Sequence, residues 1–388
     1  MSEVDGLKER ARQAVAEAAD ELIGASREIH ANPELGMAER KAAALLADQL
    51  DAHGFKVERG AYGLETAFLG SWGEGPVTIA YICEYDCLPE IGHACGHNLI
   101  AAAGLGAAYG LKAALSPDRV RLLVFGTPAE ETLGGKIILL ERGAFADVDV
   151  ALMVHPSPVD IVAPPMYGVA QADVEYKGRS AHASILPEMG INALDALVLA
   201  YQAIAQLRQH IRRDSRVHGV ITYGGGAANV VPERAAGQFM VRALSPSYLE
   251  ELKGRVEACF RAGAEGTGAE VTVTWGPWAC APMRNNMALA NAYRANAESL
   301  GRVFMDARLD STGSSDMGNI SQALPSIHPM FGIGAMAFNH TPAFTEVCAT
   351  DAAHAAMVQA AQALAMTGID AVLDPELLQS ARDEFARA

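Results

Sequence analysis

The chain has 388 residues, half of them hydrophobic and 20% charged, with a formal net charge of −16. Such a composition excludes a disordered chain and can fill the cores of two domains. The negative balance argues against nucleic acid and anionic membrane surfaces as partners, while a local arginine could still hold an anionic small molecule.

The acidic start Met1-Ser2-Glu3-Val4-Asp5 has neither the basic nor the apolar region of a secretory signal. Residues 4–30 place apolar side chains at helical spacing, from Leu7 through Val15 to Ile23. They predict one amphipathic helix, broken at Asn32-Pro33. A second helix is expected from Met37 to His53. Strands (Thr66–Leu69, Val77–Ile82, Arg119–Thr127, Val148–Val154) then alternate with helices (Leu99–Leu115, Gly134–Arg142). Alternation of this kind predicts an α/β domain around a mostly parallel sheet. Leu99–Leu115 contains Lys112 and many small residues, which suits a buried helix better than a membrane span.

The pattern changes near residue 166. Strand Gln171–Lys177, helix Asn192–Arg212, strands Gly219–Tyr223 and Arg234–Leu244, helix Ser247–Ala262 and strand Val271–Trp275 follow one another. That is the order of a ferredoxin-like α/β sandwich. The expected division is a first domain of residues 1–168 and 280–388, interrupted by an inserted sandwich over residues 169–279. The six cysteines have no disulfide-framework spacing, so a reduced, cytoplasmic protein is expected.

Chemistry-bearing residues gather where predicted strands end. Gly92-His93-Ala94-Cys95-Gly96-His97-Asn98 follows the acidic run Glu84-Tyr85-Asp86. Sulfur and imidazole two residues apart can face one metal cluster, and a thiolate can bridge two ions. The plainer alternative is a buried cysteine beside a core histidine; Gly96 and His93 tilt the balance toward a site. Glu130-Glu131 follow the apolar strand and Pro128. Adjacent side chains diverge, so one carboxylate can bind metal while the other faces the water to be activated. His155 ends a strand, and His340 lies in a turn after the Gly-rich strand Phe331–Gly334. Together with Cys95, His97 and Glu131 they supply enough N, O and S donors for two divalent ions. Zinc is favoured by the Cys and His donors, with Mn, Co or Ni able to use the same set. In the inserted domain, His182 could stabilise a developing oxyanion or be a surface histidine. Asn229, Arg234, Arg242 and Arg284 are candidate anchors for a substrate carboxylate, Asn229 and Arg284 in the more suggestive loops.

Taken in order, these residues resemble metallopeptidase family twenty, which includes aminoacylases, carboxypeptidase G, hippurate hydrolases and auxin-conjugate amidohydrolases. The similar motifs are Asn32 to Leu35, Glu84 to Asp86 with Leu88-Pro89, Gly92 to Asn98, Pro128 to Glu131, His155-Pro156, Gly178 to Ala183, Gly190 to Ala193, Asn229 to Pro232, Gly313 to Asp316 and His340. The Cys in His-Ala-Cys-Gly-His resembles the amidohydrolase branch, nearest its dipeptidase-like and p-aminobenzoyl-glutamate-cleaving members. The resemblance implies a zinc-peptidase-like catalytic domain and an inserted dimerisation domain. It implies Cys95, His97, Glu131, His155 and His340 as metal ligands, Glu130 as general base and Asp86 as the carboxylate orienting a ligand. It also implies a homodimer in which His182 reaches the partner's active site. His93 then falls outside the ligand set. Cys87 and Asn98 depart from the usual pattern, Asn98 standing where the auxin-conjugate enzymes have Asp. The expected reaction is hydrolysis of an amide bond of an N-acyl, aminoacyl or aminobenzoyl amino acid, a small-molecule substrate. Deamination of an aryl amine on the same metals, or a non-catalytic scaffold, are the alternatives.

Overall fold

The N-terminal apolar stripe is carried by two helices, where the sequence suggests one. The computed structural model describes residues 2–132, 134–276, 279–305 and 313–387. Helix α1 (Glu3–Glu17) starts at a capping box of Ser2 and Asp5, and α2 is Ala19–Ala31. Ala18 between them leaves the helical path (φ −86°, ψ 0°). Alanine does not itself end a helix. The bend keeps Ala11 and Val15, then Leu22 and Ile29, buried on one core.

Next come α3 (Arg40–Ala52), β1 (Lys56–Arg59), β2 (Phe68–Trp72), β3 (Thr78–Glu84), α4 (His97–Ala114), β4 (Arg121–Thr127), α5 (Gly135–Glu141), β5 (Val150–Leu152) and β6 (His155–Ser157). β1 has no apolar alternation and is not foreseen from sequence. It pairs along β2, from Lys56 opposite Ser71 to Arg59 opposite Phe68. The second unit holds β7 (Gly168–Lys177), α6 (Ala193–Leu207), β8 (Ser215–Tyr223), β9 (Arg234–Ala243), α7 (Pro246–Thr267) and β10 (Glu270–Trp275). The chain then runs through α8 (Met287–Ser299), α9 (Met317–Ala323), β11 (Ser326–Ile327), β12 (Met330–Gly332), α10 (Pro342–Val347), α11 (Asp351–Leu373) and α12 (Pro375–Arg387).

Two units emerge from the described residues. One comprises Met1–Pro165, Arg284–Leu309 and Asn319–Ala388, the other Met166–Met283 and Asp310–Gly318. The first contains a six-stranded sheet in the order β1-β2-β4-β3-β5-β11. β3 is parallel to both neighbours, and β5 is parallel to β11. β3 is buried along its whole length, as a central parallel strand covered on both faces requires. α4 packs on it closely: a Cβ on Gly104 would lie 2.5 Å from Cys83 Sγ. α11 is long and apolar enough to cross a membrane, but most of it is buried, and it packs against α4 and α8. The parallel arrangement brings the C-terminal ends of β3, β4 and β5 to one edge of the sheet, where such folds place their chemistry.

The second unit is a fully antiparallel sheet, β10-β7-β9-β8, with α6 and α7 packed together over it. This is the expected ferredoxin-like order. The predicted helix Asn192–Arg212 gives way at Leu207 to a short 3₁₀ turn, Arg208–His210.

Candidate metal centre

Gly96 makes the ligand turn possible. It caps α4 in the left-handed region (φ +75°), so the chain turns sharply between Cys95 and His97, the first residue of the helix. A Cβ there would lie 2.5 Å from Pro156 Cγ and 3.0 Å from Cys348 Sγ. Gly96→Ala is therefore expected to cost about 2–4 kcal/mol, from left-handed strain plus overpacking. Chemical denaturation would read this, and an unchanged midpoint would contradict it.

His97 is buried and oriented. Its Nδ1–H donates to the Asp86 carbonyl at 2.9 Å and to Asp86 Oδ1 at 3.0 Å. Nε2 is left facing Glu84 Oε2 at 3.5 Å and Glu131 Oε1 at 3.9 Å. Asp86 also accepts the Glu131 backbone N–H at 3.0 Å, so one carboxylate fixes two candidate ligands. Burial alone would raise the Asp86 carboxyl, but the His97 ring and the Glu131 N–H hold it below its ordinary value. Burial likewise opposes charge on His97, yet Asp86 outweighs it and keeps the ring well above the usual histidine range.

The other donors converge from separate elements. His340 Nε2 lies 3.1 Å from Cys95 Sγ and 3.6 Å from Glu131 Oε1. His155 Nδ1–H donates to the Pro156 carbonyl at 2.8 Å, which reserves Nε2. Burial, with His97 nearby, pushes His155 down to about 4, so the ring is neutral and its lone pair available. Burial pushes the Cys95 thiol up, so a cation has to displace its proton. Among the described residues of the first unit, three groups of donor atoms lie within 4.8 Å of one another: Cys95, His97 and His155; Cys95, Glu131 and His340; His97, Glu130 and Glu131. Cys95 is shared by the first two, the position a bridging thiolate would take. Among the described residues, Glu131 Oε1 and Glu84 Oε2 are buried without a hydrogen-bond partner. Orphaned carboxylate oxygens among soft and imidazole donors fit divalent ions. Ala129 and His340, beside the cluster in sequence, both adopt positive φ (+58° and +64°). Such conformations are strained for non-glycine residues and recur at functional sites.

The remaining candidates divide. His93 donates from Nε2 to the Ile29 carbonyl at 3.0 Å, and burial lowers it to about 3. It is a core histidine. Asn98 is buried and donates to Ser26 Oγ and the Cys348 carbonyl, a packing role. Cys87 is buried too, its thiol raised to about 11 by burial and by Asp86. Arg284 is not free to anchor a substrate: its guanidinium donates to the Phe385 and Glu384 carbonyls and lies over the Phe385 ring. Arg234 is likewise engaged, ion-paired with Glu175 at 2.6 Å across the β7–β9 register. Neither arginine signals this in sequence, because the partners are distant in the chain. In the second unit, His182 and Asn229 are exposed on adjoining segments: His182 bridges to Val230, and the Asn229 carbonyl accepts from the Ala183 N–H at 3.0 Å. Arg242 donates to Ser314 Oγ at 2.9 Å.

Comparison with known proteins places this geometry. Residues 166–267 match the family described as peptidase dimerisation domain. The Xaa-Arg dipeptidase of Mus musculus is 41% identical over 402 residues, covering 99% of this chain and 93% of that protein. The chain belongs to the M20 peptidase family. Another relative, a p-aminobenzoyl-glutamate hydrolase subunit of Escherichia coli (strain K12), is 29% identical over 462 residues, covering 98% and 94%. Among solved structures, a dinuclear metal-binding M20 peptidase from Bacillus subtilis has the same fold. Its TM-score is 0.71 at 21% identity, over 92% of this chain and 99% of that one.

This M20 chain is a metal-dependent amidohydrolase acting on an amide C–N bond of a small-molecule substrate. Its donor set accommodates a dinuclear divalent centre. Its inserted unit is the M20 dimerisation domain, through which it pairs with a second copy. The deaminase and scaffold alternatives have no observation in their favour.

Proposed function

We propose that the chain is a dipeptidase preferring a basic C-terminal residue. One observation carries the reading: the donor atoms of Cys95, His97, Glu131, His155 and His340 lie together, with a second carboxylate, Glu130, beside them. Relatives of this likeness named Xaa-Arg dipeptidase, and a net charge of −16 that attracts cations, support the basic preference. The metals, when bound, would supply Lewis acidity for the amide carbonyl and lower the pKa of water. Glu130 takes a proton from the attacking water on its carboxylate and returns it to the leaving nitrogen. Asp86 fixes His97 through Nδ1 and Glu131 through its N–H, so neither ligand reorganises during turnover. His182 holds the developing oxyanion, contributed to the partner's site, with its Nδ1 accepting from the Ser184 N–H and Nε2 as the donor. Asn229 on the adjoining segment orients the substrate. The six free thiols favour a reducing, cytoplasmic compartment.

The test is a panel of Xaa-Arg, Xaa-Lys and β-alanyl dipeptides, N-acyl amino acids and aminobenzoyl-glutamate, followed by mass spectrometry of products. Free amino acids from Xaa-Arg or Xaa-Lys, with kcat/KM at least about 10-fold above the other classes, are expected. Preference for aminobenzoyl-glutamate would sink the substrate assignment, and ammonia as the product would sink the reaction type. Chelation should abolish turnover and lower the melting temperature by several degrees, because a ligand held only by the folded state stabilises it. Returning zinc or manganese should restore both.

A further inference from the structure

Glu84 is a buried carboxylate that the five-ligand set leaves unused. It ends β3, is 1% exposed, and its two oxygens have different surroundings. Oε1 accepts from the Lys136 ammonium, and Lys136 is itself fully buried. Oε2 has no hydrogen-bond partner among the described residues. It lies 3.5 Å from His97 Nε2, the imidazole nitrogen that Asp86 leaves for a metal.

The separation decides between two readings. At 3.5 Å the contact is too long for a good hydrogen bond. Two donors sharing a tetrahedral ion with bonds of 2.0–2.2 Å lie about 3.4 Å apart. The Glu84–His97 spacing matches that edge, and so do Glu131–His340 at 3.6 Å and, more loosely, Glu131–His97 at 3.9 Å. Charge points the same way. A buried ammonium near a dication would be repelled, and Glu84 stands as the carboxylate that separates Lys136 from the His97 side of the cluster. An orphaned buried carboxylate oxygen otherwise costs the fold free energy with nothing in return.

We propose that Glu84 is a sixth metal-ligating residue, its Oε2 sharing an ion with His97 Nε2 while buried Lys136 fixes the carboxylate from behind through Oε1. Lys136 is a positioning residue in this arrangement. The inference rests on the dinuclear reading above.

The experiment measures metal content and affinity, by chelator competition with zinc, for wild type, Glu84→Gln, Lys136→Met and the double variant Glu84→Gln/Lys136→Met. The double variant removes the buried pair together, which proteins often tolerate, and so guards against a mere folding defect. Thermal stability of each metal-free protein is read alongside. Glu84→Gln and the double variant should each weaken one of two sites by at least about 10-fold. Lys136→Met keeps Glu84 but releases its Oε1, so it should weaken the same site measurably, though less than Glu84→Gln does. The proposal is overturned if the double variant binds both metals like wild type, or if Lys136→Met loses metal as fully as Glu84→Gln. Wild-type protein that binds no metal would instead overturn the dinuclear reading itself.

Discussion

Glu130→Gln should lower kcat by about 10³-fold while metal content stays at the wild-type level. Glutamine keeps the size of the side chain and one oxygen but cannot take a proton from water, and general-base catalysis contributes about 10²–10⁴-fold. The variant separates the two neighbours. Glu131 has its N–H tied to Asp86 and its Oε1 near His97 and His340, so Glu131→Gln should lose metal as well as rate. If Glu130→Gln kept more than a few per cent of the wild-type rate, or lost metal to the same extent as Glu131→Gln, the division of labour would be wrong.

Asp86→Ala should be the most damaging single change away from the ligands themselves. It removes the carboxylate acceptor of the buried His97 Nδ1–H, leaving only the backbone carbonyl of residue 86, and it removes the acceptor of the part-buried Glu131 N–H. Breaking a buried charged pair costs about 3–5 kcal/mol, and losing a carboxylate that orients a metal-bound histidine costs about 10–100-fold in metal affinity. Denaturant midpoints and chelator competition would read the two effects separately; a variant with wild-type values in both would refute the role. The pH dependence follows from the sign of the shift. The Asp86 carboxyl is held below its ordinary 3.8 in the folded protein. Its contribution to stability is therefore complete above about 4 and is lost as the pH falls through the lower folded value. Wild type should lose that increment in strong acid, and Asp86→Ala should lack that part of the acid sensitivity.

Much of the candidate site can be read along the chain because several of its donors follow strands, Glu131 after β4 and His155 after β5. Buried apolar runs such as Val120–Phe125 announce a strand, and the polar residues that follow fall at one sheet edge whatever the register. Cys95 and His97 are equally legible, since Gly96 between them marks a turn. What the sequence conceals depends on contacts between distant residues. Lys136 sits in the apolar helix Gly135–Glu141 and looks like a solvated lysine until Glu84, 52 residues earlier, is found against it. Arg284 looks like a loop cation open to substrate, yet α12, 100 residues later, takes its guanidinium. The break at Ala18 and the polar strand β1 are set by the packing around them, not by a local signal.

The two parallel pairings that close the first unit join residues on either side of the inserted sandwich. Ala151 lies opposite Ser326, and His155 opposite Met330. On the ribosome, His155 therefore emerges long before the strand that will seat it, and His340 emerges later still. At about 5–20 residues per second the wait lasts roughly ten seconds or more. During that time the inserted sheet, whose pairings are all local to residues 168–275, is free to form first. A nascent chain should thus acquire its dimerisation surface before it can close its metal centre, so that assembly precedes competence.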